Sequence, residues 1–302
     1  MRTCGLVAMG WLLLSMGVTS FASADEAGAA IEPRELVQGD QTVWLYAPDG
    51  AASGLVVVPP AGGTLLTAAG LGPGDRPEHV PYVKAGFAVV SFSISGELSG
   101  RVTPSQVDDA IRQFADAQAG VLDAQAAIET ALRALPELRS KPILAAGHSS
   151  AANLVLALTA QDPRIEAVVA YAPAADAVAF IAGSGLENRA RSIPGALERV
   201  AELSPIALAS RLSVPVMLFQ ADDDDVTSVA ATRELAQRLE ARGCPVRLLT
   251  VTSGGHYDAM IESGIPAAIP WLKEQLARAP TGRTCRAAEA DRPSSDAASP
   301  SR

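Results

Sequence analysis

Seven short apolar runs, each followed by helix-forming residues, most narrow the folds open to this chain. They occupy residues 42–47, 55–59, 88–92, 142–146, 165–171, 214–219 and 246–251. Several are nearly continuous in Val, Ile, Leu and Ala, the pattern of strands covered on both faces. Between them, residues 104–135 predict a long helix with apolar positions at Val107, Ile111, Phe114, Val121, Leu122 and Ile128. A second helix follows Ser149, and a third runs from about residue 228 to 242, with Gly243 placed to end it. Strand alternating with helix predicts an α/β architecture around a parallel sheet. A length of 302 residues leaves the number of domains open.

Several stretches break the rhythm. Residues 174–213 hold short helical pieces interrupted by Gly183, Gly185, Pro194 and Pro205. That is long for a connection, and it reads as a cap or lid inserted into a domain spanning 40–280. Residues 25–39 form a lead-in, and 287–302, rich in Ala, Ser, Asp and Pro, read as a disordered tail. Residues 1–24 carry Arg2, an apolar stretch from Leu6 to Val18 and the small-x-small sequence Ala22-Ser23-Ala24. These are the marks of a signal peptide cleaved after Ala24, so the expected location is secreted or periplasmic, with no membrane attachment after cleavage. Export would leave Cys244 and Cys285 as the only cysteines, in an oxidising compartment that favours a disulfide between them.

Charge excludes one class of partner. The formal net charge is −9 and no lysine- or arginine-rich run occurs. A nucleic acid would meet repulsion with no basic stripe to offset it. The sequence holds no H-E-x-x-H, no Cys/His cluster and no dinucleotide fingerprint, so no metal or organic cofactor is implied.

The segment Ile143-Leu144-Ala145-Ala146-Gly147-His148-Ser149-Ser150-Ala151-Ala152 carries the chemistry. An apolar strand runs into a serine flanked two residues away by Gly147 and Ala151, and a helical pattern starts at once. A serine on so sharp a turn projects its hydroxyl clear of the sheet, and only small neighbours fit. Its activation requires a base, and the chain has three histidines: His79, His148 and His256. His148 directly precedes the serine, so its side chain is expected to point away from the reacting face. His79 lies in a Gly/Pro-rich stretch and is expected at the surface. His256 follows the last strand and two glycines, Gly254 and Gly255, which makes it the candidate base. Asp222-Asp223-Asp224-Asp225 follow the strand at 214–219 and offer an acid to orient the imidazole. The D-x-D-x-D-G spacing of a calcium loop is absent there.

With these residues in place, the chain resembles the α/β-hydrolases, nearest to the dienelactone hydrolase and prolyl-oligopeptidase-like branches. Ser204-Pro205-Ile206 followed by Val214-Pro215-Val216-Met217-Leu218-Phe219-Gln220-Ala221-Asp222-Asp223-Asp224 resembles that family's SPI…PVLLIHGxxD passage, with Gln220 and Ala221 in place of His-Gly. The resemblance implies a mostly parallel sheet flanked by helices, with a short cap, and a triad in the order Ser149, Asp224, His256. Asp223 is the alternative acid. It also implies an oxyanion hole built from the Ser150 amide and a loop amide in Pro60-Ala61-Gly62-Gly63-Thr64, with Gly62 first choice and Ala61 or Gly63 as alternatives. The activity it implies is cleavage of a small-molecule carboxylic ester through an acyl-enzyme. A peptidase, an amidase, a perhydrolase or an inert binding protein of the same fold are the alternatives, and 302 residues leave no room for the propeller of true prolyl oligopeptidases. Oligomeric state has no signature in the sequence.

Overall fold

A computed structural model describes residues 31–277. Among them, eight strands form one sheet: β1 (Arg34–Gln38), β2 (Gln41–Tyr46), β3 (Leu55–Val57), β4 (Ala88–Phe92), β5 (Ile143–His148), β6 (Ile165–Tyr171), β7 (Val216–Ala221) and β8 (Val246–Val251). Their order is β1-β2-β4-β3-β5-β6-β7-β8. The β1–β2 and β2–β4 pairs are antiparallel, and every other pair is parallel. In β3, β4, β5 and β7 every residue is buried. Their unbroken apolar sequences follow from this, since helices cover both faces.

The helices are α1 (Arg76–Lys84), α2 (Pro104–Asp116), α3 (Val121–Ala134), α4 (Ser150–Gln161), α5 (Ala177–Gly183), α6 (Glu187–Ser192), α7 (Ala196–Glu202), α8 (Pro205–Leu208), α9 (Val229–Ala241) and α10 (Ile265–Ala277). All seven sequence-predicted strands are present, with ends shifted by a residue or two. β1 adds an eighth within the 25–39 lead-in. The single helix expected over 104–135 is two. The chain breaks at Gln118, Ala119 and Gly120, all with positive φ. Gly120 sits so close to Leu154 and Ile94 that a Cβ there would lie 2.6 Å and 2.9 Å from their side chains. The break therefore serves the packing of α3 on α4.

The 174–213 segment folds as α5 to α8. Leu66, Ile111, Ala177, Ile181, Ala190, Ile193, Ala196 and Val200 form a small apolar core of its own against α2 and the loop after β3. Its two ends are tied together: Ser204 Oγ donates to the Ala175 carbonyl at 3.0 Å and accepts from the Ala177 amide at 3.1 Å. Asn153 of α4 fastens the same point, exchanging two hydrogen bonds with the Ala174 backbone. The signal-peptide segment, the 287–302 tail and Cys285, expected partner of Cys244, lie outside the described residues.

Candidate active site

β5, β6, β7 and β8 are neighbours and parallel, so their carboxyl ends open on one edge of the sheet. A parallel α/β sheet gathers its functional loops there. Ser149 follows β5, Asp224 follows β7, and His256 follows β8.

Ser149 has φ 54° and ψ −119°, a conformation that costs a non-glycine residue energy and marks a sharp turn held by its surroundings. Its amide donates to the Tyr171 carbonyl at 2.9 Å, while its own carbonyl starts α4. Gly147 is obligatory: a Cβ there would lie 2.5 Å from the Ala151 carbonyl oxygen. Ala151, in the first turn of α4, is buried.

The Asp224 carboxylate receives His256 Nδ1 at 2.9 Å and 3.1 Å. It also accepts from the amides of Val226 (2.9 Å) and Thr227 (3.0 Å), the Thr227 hydroxyl (2.9 Å) and Gln220 Nε2 (2.9 Å). Burial alone would raise its pKa, but the hydrogen bonds from His256, Thr227 and Val226 outweigh it and hold the carboxyl well below the usual range. The carboxyl side chain is fully enclosed while the His256 side chain stays 16% exposed. That leaves the imidazole reachable and the carboxylate that holds it dry. With Nδ1–H given to the carboxylate, the other ring nitrogen is the one free to take a proton.

Of the four aspartates, the structure sets Asp224 against the imidazole. Asp223 braces the loop that carries it, accepting from the Gly254 (3.2 Å) and Gly255 (2.8 Å) amides. Asp222 pairs with Arg233 at 2.7 Å on the surface. Gly254, with φ +121°, lies so near Ala259 that a Cβ would come within 2.8 Å of it, so the turn needs glycine.

Two histidines depart from expectation. His148 does not turn away: its ring packs 4.6 Å from that of His256 between centroids, and its Nε2–H donates to the His256 carbonyl at 2.8 Å. Burial, reinforced by the charged form of His256, lowers its pKa to about 4, so it is a neutral prop under the loop. His79 is not a surface residue. Pro77 in the first turn starts helix α1 rather than forming a loop. His79 is thereby carried into the interior against Tyr46.

No hydrogen bond joins the Ser149 hydroxyl to His256 among the described residues; they meet through His148, which precedes one and supports the other. Such contacts tighten when substrate binds. The loop after β3 reaches α4 in an unforeseen way. The Gly62 and Gly63 amides both donate to the Ser150 hydroxyl, at 3.1 Å and 2.9 Å. Residue type alone gave no signal for this, nor for Gln220 and Thr227 as partners of Asp224.

A strained serine at a strand-to-helix turn and a carboxylate-bound histidine at the same sheet edge are the parts of a serine nucleophile system. Residues 81–277 match the prolyl oligopeptidase family (peptidase S9). The chain belongs to the prolyl oligopeptidase family. Its fold is the α/β-hydrolase fold. No curated protein matches it. Among solved structures it is similar to the Pyrococcus horikoshii acylaminoacyl peptidase, at 16% identity and TM-score 0.65, covering 83% of this chain and 42% of that one. The chain thus spans less than half the length of that peptidase. It is also similar to the Pyrococcus furiosus esterase Pf2001, at 16% identity and TM-score 0.58, covering 81% of this chain and 91% of that one. Est1E from Butyrivibrio proteoclasticus is a third, at 16% identity and TM-score 0.57, covering 82% of this chain and 100% of that one.

Proposed function

We propose that this prolyl oligopeptidase family member hydrolyses carboxylic esters with an apolar acyl group, using Ser149 as nucleophile, His256 as general base and Asp224 to orient it. The observation that carries the substrate class is a cavity beside the elbow. It is lined mostly by apolar side chains, among them Leu65 and Leu66 of the loop after β3, Ile111 and Phe114 of α2 and Val200 of α7, with Ser150, Asn153 and Arg199 as its polar members. Such a lining favours hydrocarbon over a polar or charged group. Two esterases matched over nearly their whole length support the ester reading.

In acylation His256 takes the Ser149 proton as the serine oxygen bonds to the acyl carbon, and the carbonyl electron pair moves onto oxygen. Collapse expels the alcohol, which receives that proton. Water, deprotonated by the same histidine, then releases the acid. The Ser150 amide, a first-turn donor of α4 with no partner among the described residues, would meet the oxyanion. Residues 1–24 would direct the chain out of the cytoplasm before this chemistry begins.

A panel of p-nitrophenyl esters from acetate to decanoate, run beside aminoacyl p-nitroanilides, tests the reading. Ester turnover is expected to exceed anilide turnover. Anilide turnover exceeding that of every ester would replace it with a peptidase.

A further inference from the structure

A serine hydroxyl has two lone pairs and one proton. At Ser150 both lone pairs are engaged by the Gly62 and Gly63 amides, at 3.1 Å and 2.9 Å. The proton has no acceptor among the described residues. Ser150 directly follows Ser149, and it lines the apolar cavity that would receive the acyl group. The next loop amide, that of Thr64, donates to the Thr67 carbonyl at 3.1 Å. The loop therefore spends Gly62 and Gly63, two of the three amides expected to face the oxyanion, on a side chain next to the nucleophile.

We propose that the Ser150 hydroxyl is itself an oxyanion donor, with the Gly62 and Gly63 amides acting through it. The inference rests on Ser149 being the nucleophile. Two N–H groups donating into one hydroxyl draw electron density from its O–H bond and strengthen it as a donor, the usual polarisation along a hydrogen-bond chain. As the Ser149 oxygen bonds to the acyl carbon, the carbonyl electron pair settles on oxygen, and the Ser150 O–H hydrogen-bonds to that charge. No proton is transferred to it. An anionic acceptor strengthens such a bond about twofold over a neutral one, so the stabilisation is larger in the transition state than in the bound ester. That difference is what accelerates the reaction. The arrangement also keeps the loop amides satisfied when no substrate is present.

Threonine and valine have nearly the same shape and differ in the hydroxyl, so Ser150→Thr and Ser150→Val separate donor from packing. Measured on the best ester of the wild-type enzyme, Ser150→Thr should keep kcat within about threefold, whereas Ser150→Val and Ser150→Ala should lose roughly 10- to 100-fold in kcat, toward the range seen on removing one oxyanion-hole donor. KM should stay within about twofold in all three, as the contact is made chiefly in the transition state. Circular dichroism and thermal melts identify any variant that has not folded, and Ser150→Ala provides the smaller second test should valine disturb α4. Valine and alanine variants as fast as wild type, or a threonine variant as slow as valine, would overturn the proposal. Either result leaves Ser149 standing, because its role is read separately from Ser149→Ala.

Discussion

Gln220 Nε2 donates to Asp224 Oδ2 at 2.9 Å, on the same oxygen that receives His256 Nδ1 at 2.9 Å. Gln220 is fully buried, and its two amide protons are shared among Asp224, the Thr227 carbonyl (3.0 Å) and the Thr227 hydroxyl (2.9 Å). A residue that departs from the family passage is thus a positioning residue for the orienting acid. Unlike histidine it does not titrate, so it holds the carboxylate with a neutral donor at every working pH.

Replacing Gln220 with leucine removes one donor from Asp224 and leaves the buried Thr227 carbonyl without its partner. Stability should fall by about 2 kcal/mol, the cost of an orphaned buried acceptor, seen as a lower urea midpoint. kcat should drop about tenfold, equivalent to roughly 1.4 kcal/mol. An unchanged kcat would reduce Gln220 to a packing residue.

The four aspartates should give a graded series when each is changed to alanine. Asp224→Ala should lower kcat by about 10⁴, as the imidazole loses its orientation and tautomer. Asp223→Ala should cost about tenfold in kcat, because the Gly254 and Gly255 amides lose their anchor. Asp222→Ala breaks only an exposed pair with Arg233, and such pairs contribute little. Asp222→Ala and Asp225→Ala should therefore stay near wild type. Steady-state kinetics on the set decide, and equal losses at all four positions would contradict the assignment.

Glu78 makes stability depend on pH. It is buried on α1, and burial, with Asp75's negative charge adding, pushes its carboxyl from 4.5 up to about 8. The folded state therefore keeps a proton that the unfolded chain sheds. With fewer protons bound in the unfolded state, stability falls as pH rises through this window and is fully present below it. Glu78→Gln removes the titrating group, so its Tm should decline less than that of wild type between about pH 5 and pH 8. Parallel Tm curves for the two proteins would show that Glu78 does not carry the effect.

What the sequence made legible follows from burial. β3, β4, β5 and β7 are covered on both faces, so their residues had to be apolar, and the runs announced themselves. β1 could not: Arg34-Glu35-Leu36-Val37-Gln38 is an exposed edge, with only Leu36 partly covered. The elbow was legible because Gly147 is forced by contact, and the acidic turn because strand end and chain order converge on it; Asp224 rather than Asp223 came from the resemblance to the family passage. The partners of Asp224 and Ser150 are a different matter. The Ser150 hydroxyl meets amides more than 80 residues away in the chain, whereas Gln220 and Thr227 stand four and three residues from Asp224; all three are residue types common in roles with no chemistry. The break at Gln118 and Ala119 was hidden for a related reason, since neither residue type favours positive φ and only Gly120 hints at it.

If Ser149 is the nucleophile, it should react with a fluorophosphonate probe. Intact protein is incubated with the probe, digested, and the adduct located by mass spectrometry. A single adduct on Ser149 is expected, absent from Ser149→Ala, whose ester turnover should fall by several orders of magnitude with unchanged circular dichroism. An adduct on another serine, or ester turnover above about one-twentieth of wild type in a purified Ser149→Ala preparation, would contradict it.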